Sequence, residues 1–141
     1  MQATLDHTLP TTSPTTARRR WAGRILTAVP ALFLTFDAVM KLVGGAAVDE
    51  ANARLGLPGG GLTAAIGLLE LACLALYVVP RTAALGALLL TGFLGGAVAL
   101  HVRVGDPLAS HALFPVYVGA LLWAGLYLRD ARVRALVGAR R

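Results

Sequence analysis

Asp37, Lys41, Glu70, His101 and Arg103 are the residues of this chain whose types and spacing could do chemistry, and all five lie in or beside apolar stretches. Glu70 sits in the middle of residues 62–79, a segment otherwise long and apolar enough to cross a bilayer. An ionisable group at that depth is costly unless it faces protein or trapped water, which makes it the strongest functional pointer in the sequence. Asp37 and Lys41 lie near the end of an earlier apolar stretch, in the acid-before-base order that favours an i,i+4 pair. The Lys41 stem can also bend toward Glu70 or snorkel to the surface. Counted from the ends of their segments at 1.5 Å per residue, Asp37 lies about 10 Å deep and Glu70 about 12 Å deep. Arg103 extends a stripe of Thr91, Gly95 and Ala99 by one more interval of four, so it is expected to point into the same space. Asp37, Glu70, Lys41 and Arg103 would together be neutral, as a partly buried ionic network must nearly be. His101 is about 200° around an ideal helix from Arg103, so it faces elsewhere or the helix ends there.

Three readings compete for these residues. The first is a structural ionic clasp that fixes helix register. The second is a polar pocket for a proton, a quinone head group or a small solute. The third is a metal or haem site on His101 and His111, but two histidines at helix ends with a loop between them have no spacing that singles out a metal. Elsewhere the residues read as structure. Cys73, one turn from Glu70, is a small buried hydrophobe, and as a single cysteine it supplies neither an internal disulfide nor a thiol pair. Pro30 and Pro115 read as kinks or helix-entry residues.

The elements that must position the cluster are four apolar stretches, at about residues 25–43, 62–79, 82–100 and 113–128. A hydrocarbon core of about 30 Å takes roughly 20 helical residues, and backbone groups in lipid must bond within their own segment. The expected fold is therefore all-α, an integral membrane four-helix bundle over residues 21–137. A disordered tail over 1–20 and a basic tail over 138–141 flank it. Gly92 and Gly96 form a GxxxG, expected to pack closely inside the bundle or to join two copies in a homo-oligomer.

Charge orients the spans. The chain has 141 residues, is 57% hydrophobic and 14% charged, and carries a formal +6. Its arginines sit outside the apolar runs, at Arg18, Arg19, Arg20 and Arg24 and again at Arg129, Arg132, Arg134, Arg140 and Arg141, with Arg81 in a tight turn. No basic groove with stacking aromatics accompanies them, so the charge reads as membrane topology, with no nucleic-acid partner. The positive-inside rule places both termini in the cytoplasm and the loops near 44–61 and 102–112 outside. Trp21, Tyr77, Trp123 and Tyr127 fall near the cytoplasmic boundary, as an aromatic belt would.

With these elements in place, the chain resembles the DoxX-like family of small bacterial membrane proteins, from about Trp21 to Val137. The resemblance rests on the run FDAVMKL from Phe36 to Leu42, LGLP from Leu55 to Pro58, GLLEL from Gly67 to Leu71, and PRT from Pro80 to Thr82. It continues in TGFLGGA from Thr91 to Ala97 and HVRVGD from His101 to Asp106. The resemblance implies a four-helix membrane bundle with Lys41 and Glu70 at the family's characteristic polar positions. It further implies a non-catalytic membrane subunit or scaffold associated with quinone-linked redox or oxidative-stress chemistry, with a membrane or soluble oxidoreductase subunit as partner. A small carrier or channel moving a proton or solute past Glu70 is the alternative.

Overall fold

The computed structural model describes residues 14–138 and, among them, contains helices and no strand. Six α-helices are present among the described residues: α1 (Pro14–Val43), α2 (Ala46–Arg54), α3 (Gly61–Val78), α4 (Ala83–Arg103), α5 (Phe114–Arg129) and α6 (Ala131–Gly138). Four segments are long and apolar enough to cross a membrane: Ala17–Val43, Gly61–Val78, Ala83–Arg103 and Leu108–Arg129. The last of these includes a π-helical turn, Leu108–Ala112, ahead of α5. The tail expected over 1–20 falls outside the described residues up to Thr12 and Ser13, while Pro14 onward already forms the start of α1. Most of the basic tail expected over 138–141 also lies outside them.

The four long helices form a ring in which α1 packs on α3, α3 on α4, α4 on α5, and α5 returns to α1. Their inner faces meet at Leu34, Leu74, Tyr77, Leu90, Leu122 and Leu126. The outer faces are just as apolar: Leu32 is 70% exposed, and Phe36, Leu68 and Leu88 are exposed with it. A helix that is hydrophobic all round has lipid as its second solvent. Sequence pattern and burial therefore agree on a multi-pass membrane protein.

Small residues set the helix spacing, as expected where lipid removes the hydrophobic drive between helices. A Cβ on Gly67 would lie 2.9 Å from the Ala38 carbonyl oxygen, which fixes how closely α3 approaches α1. On Gly86 a Cβ would come within 2.5 Å of the Tyr77 Cα across the α3–α4 turn. On Gly125 it would sit 2.7 Å from Thr27 Oγ1, joining α5 to α1.

The GxxxG behaves differently from its expectation of close packing inside the bundle. A Cβ at Gly92, Gly95 or Gly96 would meet no atom within 4 Å. These glycines are exposed and face open space, and Gly92 and Gly96 line a cavity. Tyr77 also departs from its expected place in an aromatic belt. It is fully buried, with its hydroxyl donating to the Leu122 carbonyl at 2.8 Å, while Trp21 and Tyr127 remain exposed. The stretch between the first two spans is not a plain loop, since α2 folds there and lies over one end of the bundle.

Candidate functional site

Glu70 is 0% exposed, on the face of α3 that turns toward α1. Among the described residues a single donor reaches its carboxylate: Lys41 Nζ, in the last turn of α1, gives a hydrogen bond to Oε2 at 2.9 Å. The close passage of α3 at Gly67 makes this possible, because a Cβ there would lie 3.0 Å from the Lys41 Cβ. Lys41 also donates to Asp37 one turn earlier on α1. Its ammonium lies 5.7 Å from the centre of the Phe93 ring on α4, a cation–π distance. The other Glu70 oxygen, Oε1, is buried and has no hydrogen-bond partner among the described residues.

Asp37, Lys41 and Glu70 thus come together, with two carboxylates sharing one ammonium. Arg103, expected in the same cluster, does not join it. It lies in the last turn of α4 and donates instead to the Leu55 carbonyl oxygen at the end of α2, beside Gly56. The reason is positional. Arg103 ends α4, where the Leu55 carbonyl that follows α2 accepts its hydrogen bond. The expected four-charge neutrality is therefore replaced by a three-member set.

His101 faces the cavity yet bonds outside the cluster. Its Nδ1–H donates to Asp106 Oδ2 at 2.5 Å, and Arg54 Nη2 from α2 reaches the same oxygen at 3.4 Å. The histidine hydrogen bond, reinforced by Arg54, holds the Asp106 carboxyl below the usual carboxylate range. Asp106 therefore ties α2 to α4. His111, in the π-helical turn, stacks edge-on to His101 with ring centres 6.1 Å apart.

Between these groups lies a cavity of about 780 Å³. Its walls are apolar, with Phe33, Leu34, Phe93, Phe114 and Val118 prominent, and Gly92 and Gly96 provide its width. Asp37, Lys41 and His101 border it, and Glu70 sits behind Lys41, outside its lining. The cover is α2, held by Asn52 Nδ2 donating to Thr63 Oγ1 at 2.8 Å, both residues buried. Such a volume, apolar with a few converging polar groups, suits a small organic ligand.

A family model described as the DoxX-like family matches residues 25–125. The chain belongs to the DoxX-like family. The matched region holds the whole Asp37–Lys41–Glu70 set and the cavity, and leaves out residues 1–24 and 126–141. No curated protein and no solved structure matches this DoxX-like chain.

Sequence reasoning about this DoxX-like site missed Asn52, Thr63 and Asp106. Asp106 carried a visible signal, an acid five residues after His101 and just before Pro107 in a polar turn. Asn52 and Thr63 carried none, because their pairing depends on α2 folding back over the bundle.

Proposed function

We propose that this protein is a non-catalytic membrane subunit that holds a lipid-soluble ligand with a hydrogen-bond-accepting head, of which a quinone is the best match, in the cavity under α2. The observation that carries the reading is Lys41. An ammonium has three N–H donors, and among the described residues its partners are the two carboxylates, Asp37 and Glu70. The side chain remains 23% exposed beside the cavity, so a donor is left for a ligand oxygen. The apolar walls would take the ring and tail, while Phe33, Phe93 and Phe114 would flank them. Lys41 would bind and orient the head, and Glu70 would hold Lys41 in place. When bound, a quinone would supply the electron-accepting chemistry. A partner oxidoreductase subunit would meet the bundle on the open face at Gly92, Gly95 and Gly96, which a second copy of the chain could equally use.

The carrier reading, in which a proton or solute passes Glu70, has less support. Glu70 is sealed behind Lys41, and below it Cys73, Leu74 and Tyr77 fill the bundle. Four spans return both termini to one side. The arginines at that end support an inner-membrane orientation with both termini in the cytoplasm and the cavity toward the outer face.

The test is a titration of purified protein in mild detergent with a short-chain quinone, followed by thermal unfolding. Wild type is expected to gain stability with saturation. Gly96→Phe, which fills the cavity, is expected to keep the unliganded melting temperature and lose the gain. A gain of equal size in Gly96→Phe, or none in wild type, would remove the cavity as the ligand site.

A further inference from the structure

The end of the bundle opposite the cavity carries charge that the ligand site does not use. Arg20 and Arg24 of α1, Arg81 of the α3–α4 turn, Arg129 of α5 and Arg132 of α6 line a recess of about 480 Å³. One carboxylate, Asp130, shares it, and its Oδ1 accepts the Arg132 backbone N–H at 2.8 Å. Among the described residues, none of the five guanidinium groups forms an ion pair. Convergent like charges repel, so an arrangement of this kind is at its best with an anion among them.

Two further observations point to a ligand. Arg129 is fixed by Nη2 donating to the Tyr77 carbonyl at 2.8 Å, with its guanidinium 4.9 Å from the centre of the Tyr77 ring. Its Nε is buried and has no partner among the described residues, and the residue lines the recess. The first residue of the 21-residue α4, Ala83, also lines the recess. That helix start has no side-chain cap, because the Thr82 hydroxyl donates back to the Leu76 carbonyl at 2.8 Å. Free N–H groups and the positive end of the helix dipole therefore add to the arginines.

We propose that this recess binds a phosphate-bearing anion, and that the head group of an acidic phospholipid is the source its setting favours. Guanidinium forks match phosphate oxygens in pairs. The recess lies where the apolar surface of the bundle ends, at head-group depth, and basic pockets between spans at this level take acidic lipid head groups. A soluble phosphate compound would present the same oxygens, and the experiment separates the two sources.

The full chain in mild detergent would be titrated with phosphatidylglycerol, phosphatidylcholine and sodium pyrophosphate, with thermal unfolding as the readout. Phosphatidylglycerol is expected to stabilise wild type, and phosphatidylcholine is not. The double variant Arg81→Gln/Arg132→Gln leaves the Arg129–Tyr77 contact intact and is expected to weaken the apparent affinity about tenfold or more. The variant Arg18→Gln/Arg19→Gln loses the same charge outside the recess and is expected to bind as wild type. A pyrophosphate response equal to that of the lipid, and lost in the same double variant, would support the site and name a soluble source. No stabilisation of wild type by either phosphate ligand, or equal loss in both double variants, would overturn the proposal.

Discussion

Lys41→Met tests whether Glu70 depends on one donor. The substitution keeps an aliphatic stem beside Phe93 and removes the one hydrogen bond that Glu70 receives among the described residues. With Oε1 already lacking a partner and the residue 0% exposed, the carboxylate would then be buried with neither oxygen met. Breaking a buried pair in this way costs about 3–5 kcal/mol. For a chain of this size that corresponds to a fall in Tm of roughly 10 °C, taking about 2–4 °C per kcal/mol. Asp37 offers the internal comparison. Its side chain is 41% exposed, so Asp37→Asn should cost under about 1 kcal/mol. The double variant Lys41→Met/Glu70→Met removes both partners and leaves no stranded charge, so it should be more stable than Lys41→Met alone. Thermal unfolding of the four proteins in one detergent measures all of this. The reasoning fails if Lys41→Met melts within about 2 °C of wild type, or if the double variant melts below the single.

The glycines give a paired test by the same readout. Gly86→Ala drives a Cβ into the Tyr77 backbone and should destabilise by more than the usual ~1–3 kcal/mol of overpacking, whereas Gly95→Ala meets open space and should gain about 0.5–1 kcal/mol. Equal effects at the two positions would contradict the helix spacing. Asp106 makes a pH-dependent contribution: because its carboxyl is held low in the folded protein, its stabilisation is complete above the ordinary Asp value of about 3.9 and is lost as pH falls through the folded value. The stability difference between wild type and Asp106→Asn should therefore shrink as pH falls below about 4. Orientation is measured in a Cys73→Ser background with one new cysteine at Ser110 or Ala135. An impermeant thiol reagent outside intact cells should label the first site alone, and labelling of the second would reverse the topology.

The spans were legible because lipid imposes a demand that any 20-residue window reveals: long apolar runs with charge excluded to the ends. What hydropathy could not reveal was which face of each run turns inward. Tyr77 shows this. Its position along α3 matched an interfacial belt, yet its direction around the helix places it in the core, bonded to Leu122. Gly92 and Gly96 show the same ambiguity, since a small-residue stripe records that bulk is absent without recording whether a helix or a cavity occupies the space. The second helix was legible in principle. Residues 46–54 are good helix formers after Gly45, with Asp49 in the first turn and Arg54 in the last, as the dipole favours. Its low hydropathy hides it from a search for spans.

The charged cluster divides along a physical line. The i,i+4 pairing of Asp37 with Lys41 is local, so spacing alone fixes it. The bond from Lys41 to Glu70 is long-range but still readable, because two opposite charges at equal depth in separate spans have few other partners. Arg103 failed that logic because it is not at depth. At the water boundary an arginine has backbone carbonyls and solvent to choose from, and Leu55 became available only because α2 folds over the bundle. Depth is thus what makes an intramembrane charge predictable: the scarcer the alternatives, the more firmly sequence position implies a partner. By the same reasoning, the polar groups hardest to foresee, Asn52, Thr63 and Asp106, all sit where α2 meets the spans, and their partners exist only because that helix folds over the bundle.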